Sequence, residues 1–217
     1  TLLLYQALRS VTEFSTYREN LFNEFVKVGY QSIPIIMLVG VFTGAVLTLQ
    51  TAYQLDTDLY PAYIVGSIVA QSVIIELAAV ISGLVLAGKV GARISTELGT
   101  MRVSEQIDAL ESMGFNSVAF LVLPRIFAGV LMFPVLYIIA STLGIIGGVV
   151  AGAADGILPA AEFMKGGRQF FFPEDVVFGI LKSFVFGFVI TSISCFKGYF
   201  AFGGAEGFNL KIVRAIS

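Results

Sequence analysis

The sequence predicts an all-α, polytopic integral membrane protein. Three observations carry this. Charge is scarce: of 217 residues, 13% are charged and 57% hydrophobic, with a mean hydropathy of +0.89, whereas soluble domains carry about 25% charge. The charges that exist leave four long apolar stretches: 28–55, 59–88 (broken only by Glu76), 126–154 and 176–196 (broken only by Lys182). Each reaches the roughly 20 residues that cross a bilayer as helix. None alternates with period two as a barrel strand would, and helices satisfy the backbone where lipid offers no hydrogen-bond partner. The same composition, with a net charge of -2, excludes a soluble globule, a disordered chain and a basic nucleic-acid binder.

The length suits one domain, 1–217. Residues 1–30 mix Leu4, Leu8, Val11, Phe14, Leu21, Phe22, Phe25 and Val28 with Arg9, Glu13, Arg18, Glu19, Glu24 and Lys27. That pattern reads as a helix lying in the membrane interface; a cytoplasmic helix held on a partner is the alternative. Residues 31–88 hold spans one and two, 89–125 a polar loop, 126–196 spans three and four, and 197–217 a polar segment too short to cross. A few residues are expected before Thr1, and a further span after Ser217. Orientation follows the basic residues. Arg9, Arg18 and Lys27 precede span one; none lies at 56–58, where Asp56 and Asp58 sit. Lys89, Arg93, Arg102 and Arg125 occupy 89–125, only Lys165 and Arg168 occupy 155–175, and Lys197, Lys211 and Arg214 follow span four. The positive-inside rule then puts both visible ends and the 89–125 loop in the cytoplasm.

Several chemistries are excluded early. The chain has no histidine and one cysteine, Cys195. Histidine-dependent triads, His-ligated zinc and an intrachain disulfide are therefore absent, and no metal-ligand cluster stands in their place. No signal peptide is visible. Residues 83–90, GLVLAGKV, nearly match a phosphate-binding loop, but Val90 replaces the hydroxyl that would meet magnesium, and the segment lies in an apolar span rather than between strand and helix. Lys89 reads as a cytoplasmic anchor. Gly203 to Gly207 reads as a glycine-rich turn.

Small residues recur every four positions: Gly40 and Gly44; Gly83, Ala87 and Gly91; Gly144, Gly148 and Gly152; Gly179, Ser183 and Gly187. Such spacing lets helix backbones approach closely in lipid. Packing within one subunit explains most of it, and a dimer face is open for the rest.

The 89–125 segment is the informative part. Ser104 has the chemistry of an N-cap, with Glu105 and Asp108 in the first turn. Ile107, Leu110 and Met113 follow at helical spacing, and Gly114 suits a C-cap. A short amphipathic helix is expected here. Its apolar stripe needs a cover: its own bundle, the headgroups, or a groove on a cytosolic partner.

The stretch ARISTELGTMRVSEQIDALESMG (92–114), followed by LVLPR (121–125), resembles the signature of MlaE-type permeases, the membrane subunits of Mla/Mce lipid ABC transporters. QSIPIIMLVGVFTGAVLTLQ (31–50) resembles the first span of that family. SCFKGYF and GGAEG (194–207) resemble its second cytoplasmic region. The chain departs where the family often has Arg-Glu-Leu-Gly-Pro: here Ile75-Glu76-Leu77-Ala78-Ala79 keeps only Glu and Leu. It departs again after Gly207, where FNLKIVRAIS replaces a small-residue run.

The resemblance implies a homodimeric permease in a bacterial inner membrane that moves phospholipids between inner and outer membranes. It implies two cytosolic ATPase subunits carrying the ATP and magnesium, a periplasmic ring of MCE-domain subunits and a STAS-domain protein on the ATPase. No cofactor is expected in this chain, and it is not expected to be an enzyme. Glu97, Leu98, Gly99, Met101, Arg102, Glu105, Asp108, Leu110 and Gly114 match the family's block and are expected, with Ile107, to couple the chain to its ATPase. Leu98, Ile107 and Leu110 would supply buried area, Arg102 and Glu105 the register, and Gly99 and Gly114 the backbone shape.

A charge at a helix centre costs about 2.5–3.5 kcal/mol on insertion scales, so Glu76 should face a cavity or a partner. It is either a polar contact in a lipid cavity or a glutamate that locks two helices. Gln50 and Tyr53, at the outer end of span one, would line the exit; Tyr53 also suits an interface belt. Lys182 is expected only to snorkel outward. Rival readings are a permease for a small solute, an integral-membrane enzyme acting on lipids and a non-transporting scaffold. The first would need polar groups converging at mid-membrane, the second paired acids or a metal site, and co-purification with an ATPase would eliminate the third.

Overall fold

The computed structural model describes residues 18–55 and 60–201. Residues 1–17, the 56–58 loop, the GGAEG turn and the segment after Gly207 lie outside them, as does the span expected beyond Ser217. Among the described residues the chain is helical and without strands. Helix α1 spans Arg18–Val28; a 3-10 turn at Tyr30–Ser32 leads into α2, Ile33–Gln54, which opens with proline in its first turn, where a missing N–H costs nothing. Helix α3 runs unbroken from Tyr63 to Val103, α4 covers Gln106–Ser112, α5 runs from Val118 to Ala154, α6 covers Ala160–Gln169 and α7 covers Pro173–Tyr199.

Four helical stretches are long and apolar enough to cross a membrane: Asn20–Gln54, Tyr63–Val103, Val118–Ala154 and Pro173–Tyr199. The four expected spans are present, but the second and third are longer than their apolar cores. Charge marks where a helix leaves lipid, not where its hydrogen bonds stop. The expected 89–125 loop is therefore corrected: Lys89 to Val103 continue α3, and Val118 to Arg125 begin α5. The match at 83–90 lies inside α3 as well. Within α3 the ladder shifts to i→i+5 at Val73–Leu77 and at Ala87–Gly91, and α5 opens with a third such turn at Val118–Val122. Single π-turns of this kind are often found at functional positions.

Two compact units are built from interleaved segments. One comprises the chain up to Tyr30, Leu86–Leu131 and the part after Gly187; the other comprises Gln31–Val85 and Met132–Phe186. In the second, missing Cβ atoms let backbones touch. A Cβ on Gly40 would lie 2.8 Å from the carbonyl oxygen of Ala140, and one on Gly44 would overlap the carbonyl of Gly144. Those glycines serve packing within one chain. Large apolar side chains face outward as well as inward: Phe22 is 69% and Leu84 75% exposed, while Glu24 is buried. Exposed apolar and buried charged side chains are what a lipid solvent selects.

Helix α6 is an addition to the sequence reading, which left 155–175 without an element. Phe163 and Gly166 are its buried positions, and Glu162, Lys165 and Arg168 recur every three residues on the rest of the helix. The surrounding Gly156, Pro159 and Pro173 obscure so short a repeat.

Candidate functional site

The first unit carries a helical corner braced on both sides. Helix α3 ends at Val103, and the expected N-cap at Ser104 is corrected. The Ser104 hydroxyl donates back to the Thr100 carbonyl at 2.8 Å, and Glu105 takes the cap position of α4 with φ 56°. A non-glycine residue in the left-handed region is uncommon. An ion pair spans the corner around it, Arg102 Nη1 to Asp108 Oδ1 at 2.6 Å. Gly114 (φ +82°) ends the helix as expected: its N–H donates to the Glu111 carbonyl at 3.0 Å, and that of Phe115 to the Leu110 carbonyl at 3.1 Å. This double closure is a Schellman motif, which needs a residue free to adopt positive φ.

Beyond α4, Ser117 Oγ donates to Glu111 Oε1 at 2.7 Å and sits 2.7 Å from Tyr199 Oη, which lies 3.0 Å from the same carboxylate oxygen. The hydrogen bonds from Ser117 and Tyr199 hold the Glu111 carboxyl below its ordinary value, outweighing a small desolvation that pushes the other way. They also tie the end of α4 to the end of α7. Behind the corner, Ser95 Oγ donates to the Ser194 carbonyl at 2.9 Å, and Gly198 leaves room for Leu98 and Ser95.

A buried charge cluster fixes the root of the corner. Arg125, with its side chain 5% exposed, places Nε 3.5 Å from Glu24 and Nη2 3.3 Å from Glu97, and Nη1 donates to the Leu121 carbonyl at 2.8 Å. Glu97 also accepts from Arg93 Nε at 2.8 Å, and Arg93 Nη1 reaches the Lys27 carbonyl. Three helices, α1, α3 and α5, therefore meet through one guanidinium. Arg125 and Glu24 were not singled out in the sequence. Arg125 looked like a loop cation, and only folding brings Glu24, Glu97 and Arg125 together.

These placements divide the expected coupling residues. Leu98 and Ile107 are 0% exposed and Gly99 is buried. The expectation that Leu98 and Ile107 offer area to a partner is corrected: packing inside the chain has already consumed it. Glu97, Arg102 and Asp108 are engaged in intrachain pairs. Met101 and Leu110 are half-buried and Glu105 is exposed. The open apolar surface of the corner comes instead from Val103, Met113 (63% exposed) and Phe115.

In the second unit, Glu76 sits on the first π-turn of α3. Its carboxylate pairs with the ammonium of Lys182 on α7, which also donates to the Ile75 carbonyl at 3.1 Å. The expectation that Lys182 merely snorkels outward is corrected. One intramembrane charge recruits the other, because a lone charge there is the costlier state. Tyr53 donates to Asp155 at 3.3 Å, and Gln50 is exposed one turn before it on α2. The structure gives Tyr53 and Glu76 different partners.

Helices of this length and polarity define a multi-pass membrane protein. The family model described as Permease MlaE matches residues 21–217. Among similar proteins, a probable ABC transporter permease protein of Rickettsia bellii is 33% identical over 97% of this chain and 81% of its own. One from Synechocystis is 34% identical over 92% and 75% respectively. The intermembrane phospholipid transport system permease protein MlaE of Haemophilus influenzae is 30% identical over 99% and 82%. The chain belongs to the MlaE permease family.

Proposed function

We propose that this chain is the membrane subunit of an ATP-driven transporter that carries phospholipids between the inner and outer membranes of a bacterium. Its α3–α4 corner seats a cytosolic ATPase. The corner supports this reading because it presents an open apolar surface on a backbone that the Arg102–Asp108 pair, the Glu111–Ser117–Tyr199 contacts and the Arg125 cluster hold from three sides. A rigid corner transmits the closure of a nucleotide-bound ATPase to the spans, where a loose loop would absorb it. ATP and magnesium belong to that partner. Two copies of this chain, two ATPases, an MCE-domain ring and a STAS-domain protein complete the assembly in the inner membrane, with both visible ends cytoplasmic. The cargo assignment is supported by the name of the Haemophilus relative and by the apolar stretches 28–55, 59–88, 126–154 and 176–196, whose charged residues are Glu76 and Lys182.

Purification of the native complex in mild detergent, with mass spectrometry of its subunits and lipids and ATP-dependent transfer between reconstituted vesicles, tests this. A complex without an ATPase, or one that hydrolyses ATP without moving lipid, would overturn it. Within it, Met113→Glu is expected to lose at least about tenfold of co-purifying ATPase, as truncation of an interface anchor does. Ile107→Glu should lower the yield of folded chain instead. Normal ATPase stoichiometry in Met113→Glu would refute the docking surface.

The Glu76–Lys182 pair is assigned to the headgroup path, with Gln50 and Tyr53 nearer the exit. Either single neutralisation leaves one unpaired charge, a cost of about 2.5–3.5 kcal/mol on insertion scales. The double variant Glu76→Gln/Lys182→Gln should recover stability and still transfer lipid poorly in reconstituted vesicles. Unchanged transfer would make the pair structural only.

A further inference from the structure

The second unit carries a groove that the coupling corner and the Glu76–Lys182 pair do not use. It encloses about 530 Å³ and is lined along α5 from Tyr137 to Val150, with Ile74, Met164, Phe171 and Val176 closing its sides. At about 1.5 Å per residue, that length of α5 is about 20 Å, more than half of the roughly 30 Å hydrocarbon thickness. Its hydroxyls are already committed. Ser141 and Thr142 both donate to the Ile138 carbonyl, at 3.1 and 2.7 Å, and Tyr137 donates to the Ile74 carbonyl at 2.7 Å. No hydroxyl proton is left for a polar solute, and the rest of the wall is hydrocarbon.

A basic rim adjoins this apolar wall. Met164 lines both the groove and a shallow cleft of about 500 Å³ formed with Ala161, Lys165, Arg168 and Gln169. Lys165 and Arg168 are exposed and three residues apart on α6, so they share a face. Lys165 Nζ lies 5.2 Å above the Tyr63 ring, which positions the ammonium. Their platform is fixed: Gly66 admits the backbone of Phe163, and Gly166 admits the Tyr63 carbonyl. Nearby acids do not line the rim. Glu162, half-buried one turn before Lys165, and Asp155, which accepts from Tyr53, are not among the residues that line the cleft, and Asp175 lies within electrostatic reach of Tyr137 in the groove.

We propose that this surface is a phospholipid site, with Lys165 and Arg168 holding the phosphate and an acyl chain lying along α5 toward Ile74. The proposal deepens the phospholipid reading above and rests on it. Two cations at the end of a hydrocarbon groove match a molecule with an anionic head and an apolar tail. They match neither a wholly apolar cargo nor a bare helix of a second copy. The site lies on the flank of the chain and works as a lateral point of lipid entry or retention.

The test uses the intact transporter in nanodiscs of phosphatidylethanolamine and phosphatidylglycerol, doped with phosphatidylglycerol carrying a photoactivatable diazirine on its acyl chain. After illumination, peptide mass spectrometry should place the label on 137–150 and 164–176. Lys165→Ala/Arg168→Ala should reduce that labelling at least about tenfold, the factor lost with one charge-assisted contact. Val149→Trp, which fills the groove, should abolish it, and excess inorganic phosphate should not displace it. Label spread evenly over all lipid-facing helices would overturn the site, as would cross-links from this groove to a second copy. ATP-dependent transfer measured on the same preparation separates the two claims. Transfer without groove labelling refutes the site alone, and labelling without transfer refutes the transport reading.

Discussion

Replacing Arg125 with methionine is expected to be the most damaging single change outside the packed glycines. The guanidinium is buried and serves Glu24 on α1 and Glu97 on α3 at once. Methionine fills much of the volume but leaves the Glu24 side chain, 10% exposed, with only Lys27 at 3.8 Å. Breaking a buried ion pair by removing one partner costs about 3–5 kcal/mol. For a chain of this length, about 3 kcal/mol corresponds to a fall of roughly 6–12 °C in the unfolding midpoint, readable by heating the detergent-solubilised chain and following its monodisperse fraction. The triple variant Arg125→Met/Glu24→Leu/Glu97→Met should regain most of the loss, since hydrophobic side chains of similar volume often replace buried pairs without penalty. A midpoint for Arg125→Met within about 2 °C of the parent, less than 1 kcal/mol on this scale, would show that the cluster carries no net stability.

Gly44→Val is expected to prevent α2 and α5 from packing at all. Even an alanine Cβ at Gly44 would overlap the carbonyl group of Gly144, and one at Gly147 would meet the backbone of Val41. These neighbours are backbone and cannot swing aside, so the helices must separate. Overpacking ordinarily costs about 1–3 kcal/mol, and separation would also forfeit the dispersion that holds helices together in lipid. The expected result is loss of the monodisperse species for Gly44→Val and a clear fall in midpoint for Gly44→Ala. Gly88→Ala is the control, because a Cβ there meets nothing within 4 Å. If Gly44→Ala behaves like Gly88→Ala, the close crossing is wrong.

The legible parts of the site were those encoded locally. Gly114 was readable as a C-cap because positive φ is a property of one residue and its neighbours. Phe115, the exposed apolar residue that follows it, could have been read from the same motif. Ser104 misled, because an N-cap and a back-bonded serine at a helix end have the same composition. Ile107 and Leu98 were readable as apolar stripe members but not as internal ones, since periodicity shows which residues share a face and not what that face meets.

By itself the sequence determined the lipid solvent, the four spans and the segments that carry polar chemistry. Hydropathy and charge act residue by residue, so they survive without a fold. Only the tertiary structure decided which charges neutralise one another: Lys182 with Glu76, and Arg125 with Glu24 and Glu97, partners separated by 28 to 106 positions. It also decided that the expected loop continues two helices and that Lys165 and Arg168 border an apolar groove. Those outcomes depend on which helix faces cross, and close packing of distant backbones sets that.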